Sequence, residues 1–374
     1  MKIHIALVGK ETAPVYYGTF ELDPELVILI CSEQTKKEAE RLENLFQSRD
    51  FSVRIFIFPP TNIKEIYRHL EKLQQEIPSE ASLSLDLVGG TKFWSLAFYR
   101  CFHQRKGTEF YLSEQNYRIC NLETGDFISF QGNIEIDEHL LLYGNTLERS
   151  TNINEYNWED DEAVEVIQQI RQKDYRGFHY VSAELSPEEN DSLKNREGEL
   201  QCGDFSVKWR RPSHVEAQFS PTKGGLSFEI DSPHACSMFF NSGWFEYKVA
   251  RLLRDWKHTK EVRLNCVFPL GNSQKTKNEV DIILNAGTKL IFVECKTKVY
   301  DSTDIDKFSN VVKNYGGMGS KALFITDVPM GPLQAKKCQE SRILSLSLKD
   351  TSNRDISKPV IYGKLDQFLN EINV

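Results

Sequence analysis

Two carboxylates and an amine stand close together in the C-terminal third of the chain, in Asn278-Glu279-Val280-Asp281 and Val293-Glu294-Cys295-Lys296. Glu294 and Lys296 are two positions apart in an apolar run that reads as a strand. Their side chains therefore share one face, and Cys295 takes the other. An Asn285-Ala286-Gly287 turn joins this run to the one before it, so cross-strand pairing allows Asp281 onto the same face. Charged groups at the end of an apolar strand are costly without partners. A hard divalent cation, Mg²⁺ or Mn²⁺, removes that cost, because such ions take carboxylate oxygens.

A second chemical feature lies far upstream, at Gly89-Gly90-Thr91-Lys92, between a strand and a helix that starts near Phe93. Two glycines let the backbone approach a ligand, and Thr91 can cap the helix. The free N–H groups and the dipole at that helix start favour an anion, to which Lys92 adds a charge. The same residues equally suit an ordinary capped turn. A companion loop, Gly9-Lys10-Glu11-Thr12-Ala13-Pro14, follows the first strand. Neither loop has the spacing of a GxGxxG or GxxxxGK[ST] fingerprint, which argues against a dinucleotide cofactor and a P-loop.

The elements that position these groups follow from the apolar pattern. Residues 2–8, 26–31, 51–58, 83–88 and 108–114 read as five strands. Ala39, Leu42, Leu45 and Phe46 form one helical stripe, and Ile63, Ile66, Tyr67, Leu70 and Leu73 another. Strands alternating with helices imply a mostly parallel sheet covered on both faces, with ligands at the strands' carboxyl ends. Residues 117–131 read as a hairpin around Thr124-Gly125-Asp126.

After Asn145 the pattern changes. The acidic run 155–165 reads as the start of an amphipathic helix reaching about Tyr175, and 184–200 as a polar linker or exposed loop. Residues 205–230 alternate as a small antiparallel sheet, in which Lys208, Trp209, Arg210 and Arg211 offer a stacking and phosphate-contacting patch or simply a half-exposed strand. A helix over 240–256, opened by Asn241 or Ser242, then precedes strands 261–268, 279–284 and 288–295, helix 304–315 and strand 321–326. Gly316, Gly317 and Gly319 read as a helix C-terminus and turn.

Bulk composition narrows the class. With 374 residues the chain suits two domains, and a formal charge of −8 argues against a general nucleic-acid coat while leaving room for a local basic groove. Eight cysteines without a CxxC pair, mostly inside apolar runs, read as reduced thiols in a cytoplasmic protein. No apolar run approaches membrane-spanning length.

The segment Asp86-Leu87-Val88-Gly89-Gly90-Thr91-Lys92 resembles the signature loop of CARF domains, the cyclic-oligoadenylate sensors of type III CRISPR defence, over roughly residues 1–145. The resemblance implies a homodimer with the ligand in a cleft between two such loops, contacted by Gly9, Lys10, Glu11, Thr12, Gly89, Gly90, Thr91 and Lys92. A two-fold dimer offers a symmetric phosphate cradle that suits cyclic tetra-adenylate. The C-terminal part resembles the PD-(D/E)xK nuclease superfamily over roughly residues 238–330. Asp281 stands for the motif's aspartate, Glu294 for its second acid, Lys296 for its lysine, and Glu246 for the acid of the preceding helix. No proline precedes Asp281, a departure from the pattern. This resemblance implies that Asp281, Glu294 and the Cys295 backbone carbonyl hold the cation for hydrolysis of a phosphodiester. Lys296 then orients water or stabilises developing charge, and Glu246 positions a second ion or the water network.

The combined expectation is an α/β chain with a Rossmann-like CARF domain (1–145), a connector (146–200) and a restriction-endonuclease-like PD-(D/E)xK domain (201–374). Its expected activity is endonucleolytic cleavage of RNA or DNA, switched on by cyclic tetra-adenylate. Two rivals remain: a ligand-sensing DNA-binding regulator with an inactive nuclease core, and a restriction-type enzyme whose N-terminal domain binds a different nucleotide.

Overall fold

The computed structural model describes residues 1–113, 118–184, 196–240, 242–269, 278–299, 301–317 and 319–370. They form two compact units. The first comprises Met1–Thr146 with two later segments, Asn285–Leu290 and Lys313–Ser320, and the second holds the remainder.

The first unit runs β1 (Lys2–Leu7), α1 (Ala13–Leu22), β2 (Leu26–Cys31), α2 (Lys36–Gln47), β3 (Ser52–Ile57), α3 (Ile63–Glu76), β4 (Ser82–Asp86), α4 (Lys92–Phe102), β5 (Thr108–Ser113), β6 (Arg118–Asn121), β7 (Phe127–Ser129) and α5 (Ile136–Leu142). Its sheet has the order β3-β2-β1-β4-β5-β6-β7. The first five strands pair in parallel, and β6 and β7 are antiparallel additions. Apolar side chains leave both faces of β1 and β2. Ile3, Ile5 and Leu7 join Ile66, Leu70 and Phe98 on one side, while Ala6, Val27 and Leu29 join Tyr16, Leu42 and Phe46 on the other. The expected hairpin turns at Gly125, whose φ of +75° suits glycine; its first residue, 117, lies with 114–116 outside those described. Helix α1 had no expectation attached to it. Its sequence, APVYYGTFEL, is apolar all round and carries no stripe.

The second unit begins with β8 (Arg149–Asn152), α6 (Trp158–Lys173) and α7 (Tyr175–His179). It continues with β9 (Glu197–Cys202), β10 (Phe205–Arg210), β11 (His214–Phe219), β12 (Ser227–Asp231), α8 (Ala235–Phe240) and α9 (Gly243–Arg254). Next come β13 (Glu261–Phe268), β14 (Asn278–Asn285), β15 (Leu290–Lys296), α10 (Thr303–Tyr315), β16 (Lys321–Thr326), α11 (Pro332–Glu340), β17 (Ile343–Ser347) and α12 (Lys358–Asn370). One sheet has the order β12-β11-β10-β9 and the other β17-β16-β15-β14-β13-β8. In the larger sheet β8 lies antiparallel to β13, while β15, β16 and β17 are parallel.

The stretch expected as a connector therefore supplies an edge strand and a helix of this unit. Asn157 caps α6 by accepting from the backbone N–H of Glu159 at 2.9 Å and of Asp160 at 3.3 Å, which puts Glu159, Asp160 and Asp161 of the acidic run in the first turn, where the helix dipole favours them. Two expectations are corrected. Residues 197–200, read as linker, are in β9, whose polar sequence EGELQC hides the strand. The helix expected over 240–256 is α9, Gly243–Arg254, while Phe240 closes the separate α8; Ser242 between them has φ +58° and makes no side-chain capping bond, and Asn241 lies outside the described residues. Of the two readings of residues 208–211 the half-exposed strand holds, since burial alternates along β10 and Trp209 is 3% exposed and packed edge-on against Phe240.

Candidate active site and ligand edge

The middle of the six-stranded sheet brings the expected acids and lysine together. Alternation along β15 buries Cys295 and turns Glu294 and Lys296 to the other face, where the ammonium lies 2.9 Å from a Glu294 oxygen. Asp281 projects from the adjacent strand β14, and its Oδ2 accepts the backbone N–H of Cys295 at 2.7 Å. Glu246, in the first turn of α9, is half-buried like Asp281. The only cation among these four faces three carboxylates.

That imbalance sets the electrostatics. Burial first, and then Asp281, push the Glu294 carboxyl up to about 7, against the opposing pull of Lys296. Burial also raises Asp281, with Lys296 and the Cys295 N–H working against it. Glu246 is raised most, by burial and by Asp281. Burial alone would lower Lys296, but Asp281 and Glu294 overcome it and hold the ammonium well above its usual range. Carboxylates raised by burial, and secondarily by their neighbours' charge, become charged again when a cation joins them. The donors on this face are hard oxygens, and the Cys295 thiol points away and is buried, so the set suits Mg²⁺ or Mn²⁺ rather than a thiophilic metal.

Asp304, in the first turn of α10, was not anticipated. It is close enough to raise Asp281, Glu294 and Lys296. Glu279 similarly adds to the load on Glu246. In sequence Asp304 is indistinguishable from an acid placed to suit a helix N-terminus.

The ligand-loop residues gather at the carboxyl edge of the parallel sheet. A Cβ on Gly9 would lie 3.3 Å from Gly90 N, and one on Gly89 only 1.8 Å from Leu7 O, so the two loops touch through bare backbone. Gly90 adds φ +70°. Thr91 caps α4 by accepting the Trp94 N–H at 3.3 Å, and its hydroxyl donates to Pro60 O at 2.8 Å. Lys10, Glu11 and Lys92 are exposed. A cleft of about 290 Å³ at the ends of β2 and β3, lined in part by Ser32, Phe58, Pro59 and His69, adjoins Pro60. Thr12 departs from expectation. It is fully buried and its hydroxyl donates to Leu142 O at 2.5 Å, so it tethers the loop rather than facing a ligand.

Residues 3–139 match the Card1 CARF domain family, and residues 234–344 match the endonuclease domain of Card1-like proteins. No curated protein matches the chain. Can2 from Sulfobacillus thermosulfidooxidans, solved in complex with cyclic tetra-adenylate, superposes with a TM-score of 0.67 at 18% identity, covering 99% of this chain and 100% of Can2. Protein VC1899 from Vibrio cholerae gives 0.70 at 15% identity over 98% of this chain and 96% of its own. A type III CRISPR defence DNA nuclease activated by cyclic oligoadenylate gives 0.59 at 16% identity, over 98% of this chain and 51% of that one. At these identities the superpositions establish a shared fold, and the two domain matches together span more than half of the sequence. The chain therefore belongs to the Card1-like nucleases, a CARF domain joined to an endonuclease domain.

Proposed function

We propose that the protein is a divalent-metal-dependent endonuclease that cyclic tetra-adenylate switches on, acting on RNA or DNA in type III CRISPR defence in the cytoplasm. The observation that carries the catalytic half is the cluster of Asp281, Glu294 and Lys296 on one face, with Glu246 beside it. In this reading Asp281, Glu294 and the Cys295 carbonyl hold the cation, which supplies Lewis-acid polarisation of the scissile phosphate. The chain's own groups do the rest. Lys296, held charged by its carboxylate neighbours, sits where negative charge develops on phosphorus. Glu246 retains or releases a proton near the attacking water according to how much charge surrounds it. An inactive core has no use for so costly a cluster, which disfavours the regulator reading.

For the sensing half, support comes from the bare-backbone contact between the Gly9 and Gly89–Gly90 loops beside exposed Lys10 and Lys92, and from Can2, whose structure contains cyclic tetra-adenylate. A homodimer is supported by a row of exposed apolar side chains right after that loop: Phe93 (48%), Leu96 (72%) and Tyr99 (48%) on α4. A second copy covering this row would bring two loops to one cleft. Among the described residues no helix is long and apolar enough to cross a membrane. The test is calorimetric titration with cyclic tetra-adenylate alongside cleavage with Mn²⁺. One ring per two chains, with binding lost in Lys92→Ala and cleavage lost in Glu294→Ala, is expected. Cleavage surviving in Glu294→Ala, or no binding by the wild type, overturns the corresponding half.

A further inference from the structure

We propose that His139 is a positioning residue through which the ligand loop sets the geometry of the catalytic strands. This rests on the reading of a cyclic-tetra-adenylate-gated nuclease and deepens it.

The turn between β14 and β15 belongs to the first unit, although the strands it joins carry Asp281 and Glu294 in the second. Helix α5 holds that turn. His139 is 3% exposed, and its Nε2 lies 3.0 Å from Gly287 O while its Nδ1 lies 3.0 Å from the Tyr17 hydroxyl. A carbonyl can only accept, so Nε2 carries the proton and donates, and Nδ1 accepts from Tyr17. Asn285, 1% exposed, donates from its side-chain amide to Ile134 O just before α5, and its Oδ1 accepts the Gly287 N–H at 2.8 Å. At the far end of α5, Asn145 Nδ2 donates to Tyr315 O at 2.9 Å, and Gly317 packs flat on the Tyr143 ring, where any Cβ would collide. Tyr315 closes α10, the helix that begins beside the site with Asp304.

The same short helix is joined to the ligand loop. Thr12, in the loop that touches Gly89 and Gly90, donates to Leu142 O, and Tyr17 belongs to α1, which grows directly out of that loop. A shift of the loop on ligand binding is therefore delivered to α1, through Tyr17 and Thr12 to α5, and through His139 to Gly287. From Gly287 the strands lead to Asp281 and Glu294 over about 20 Å of stiff backbone. The Thr12 and Tyr17 links are directional hydrogen bonds closed to water, where a displaced partner is not replaced by solvent, and the His139–Gly287 bond that ends the path is partly buried.

The test uses the full-length protein with Mn²⁺, a fluorogenic nucleic acid, and cyclic tetra-adenylate as titrant. His139→Leu removes both bonds. Tyr17→Phe removes one hydroxyl with little change of shape and guards against a folding failure. His139→Gln keeps a donor for Gly287 O. The expected result is a drop of about tenfold or more in the ratio of stimulated to unstimulated cleavage in His139→Leu, in keeping with the usual size of coupling between sites. Tyr17→Phe should show a smaller drop, and His139→Gln should regain most of the ratio. Calorimetric affinity for the cyclic nucleotide should stay within about threefold in all three. An unchanged ratio in His139→Leu and Tyr17→Phe overturns the proposal, as does loss of ligand affinity in parallel with stimulation. If the wild type binds but is never stimulated, the gated-nuclease reading itself fails, which is a distinct outcome.

Discussion

The buried acid cluster makes a quantitative demand on how metal and pH act on stability. In the metal-free protein Glu294 is pushed up to about 7 from a reference of 4.5. The folded chain thus holds a proton that the unfolded chain has already released, and metal-free stability falls as pH rises through that interval, by about 3 kcal/mol in all. A cation reverses this by binding the ionised form. At about 100 times its dissociation constant at pH 8, Mn²⁺ adds about 2.7 kcal/mol, or roughly 5–10 °C in Tm for a unit of this size. At about pH 5.5 the ion must displace a proton from Glu294, which weakens it roughly thirtyfold and leaves about 0.8 kcal/mol, or roughly 2–3 °C. Differential scanning calorimetry on EDTA-treated protein, with and without Mn²⁺ at the two pH values, reads both increments. Glu294→Gln should melt above the wild type when metal-free at pH 8 and should gain little from Mn²⁺. An Mn²⁺ increment equal at the two pH values, or one that survives in Glu294→Gln, refutes the reasoning.

Other consequences follow from single buried groups. Burial raises Asp86 to about 6 even though Ser113 and the Val88 N–H bond to it. Stability therefore falls as pH climbs from about 4 to about 6, and Asp86→Asn should raise the unfolding free energy at pH 8 by at most about 3 kcal/mol, and by much less near pH 4, as urea unfolding at the two pH values would show. His4 and His139 are held neutral by burial, each down to about 4. The unfolded chain takes up their protons first, so acid should destabilise the first unit from about pH 6.5 downward, at about 1.4 kcal/mol per histidine by pH 5.5, as urea unfolding would show. Lys296→Met removes the ammonium that lies 2.9 Å from Glu294. It should lower kcat by about a hundredfold or more while leaving cyclic tetra-adenylate binding intact in a calorimeter.

Much of the framework was readable because burial imposes a period. The parallel strands announce themselves as short apolar runs, helices α2 and α3 by a stripe, and the acid–lysine pair on β15 by its two-residue spacing. In a helix buried all round, or a strand with almost no apolar residue, the signal fades. Helix α1 is apolar on every side, β9 is almost wholly polar, and the break at Ser242 depends on a left-handed backbone that serine does not advertise. Within the site, Asp281, Glu294 and Lys296 were legible because two-residue spacing on a strand fixes a common face. Asp304 was not, since it reaches the cluster only through the tertiary placement of α10. Thr12 reads as a ligand contact because it shares a loop with Gly9, Lys10 and Glu11, yet one hydroxyl–carbonyl bond to α5 turns it inward. His139 offered no signal at all. A lone histidine in IDEHLLL reads as an ordinary helical residue until Tyr17 and Gly287 are seen on its two nitrogens.

The claim at the centre is that ligand at the Gly89–Gly90 loop governs chemistry at Glu294. The most direct measurement is the single-turnover rate of nucleic-acid cleavage by the full-length protein in Mn²⁺, with and without saturating cyclic tetra-adenylate. A coupling of about 1–3 kcal/mol corresponds to an increase of roughly 5- to 150-fold on adding the ligand, which should disappear in Lys92→Ala. Cleavage that proceeds at the same rate with and without the ligand would contradict it.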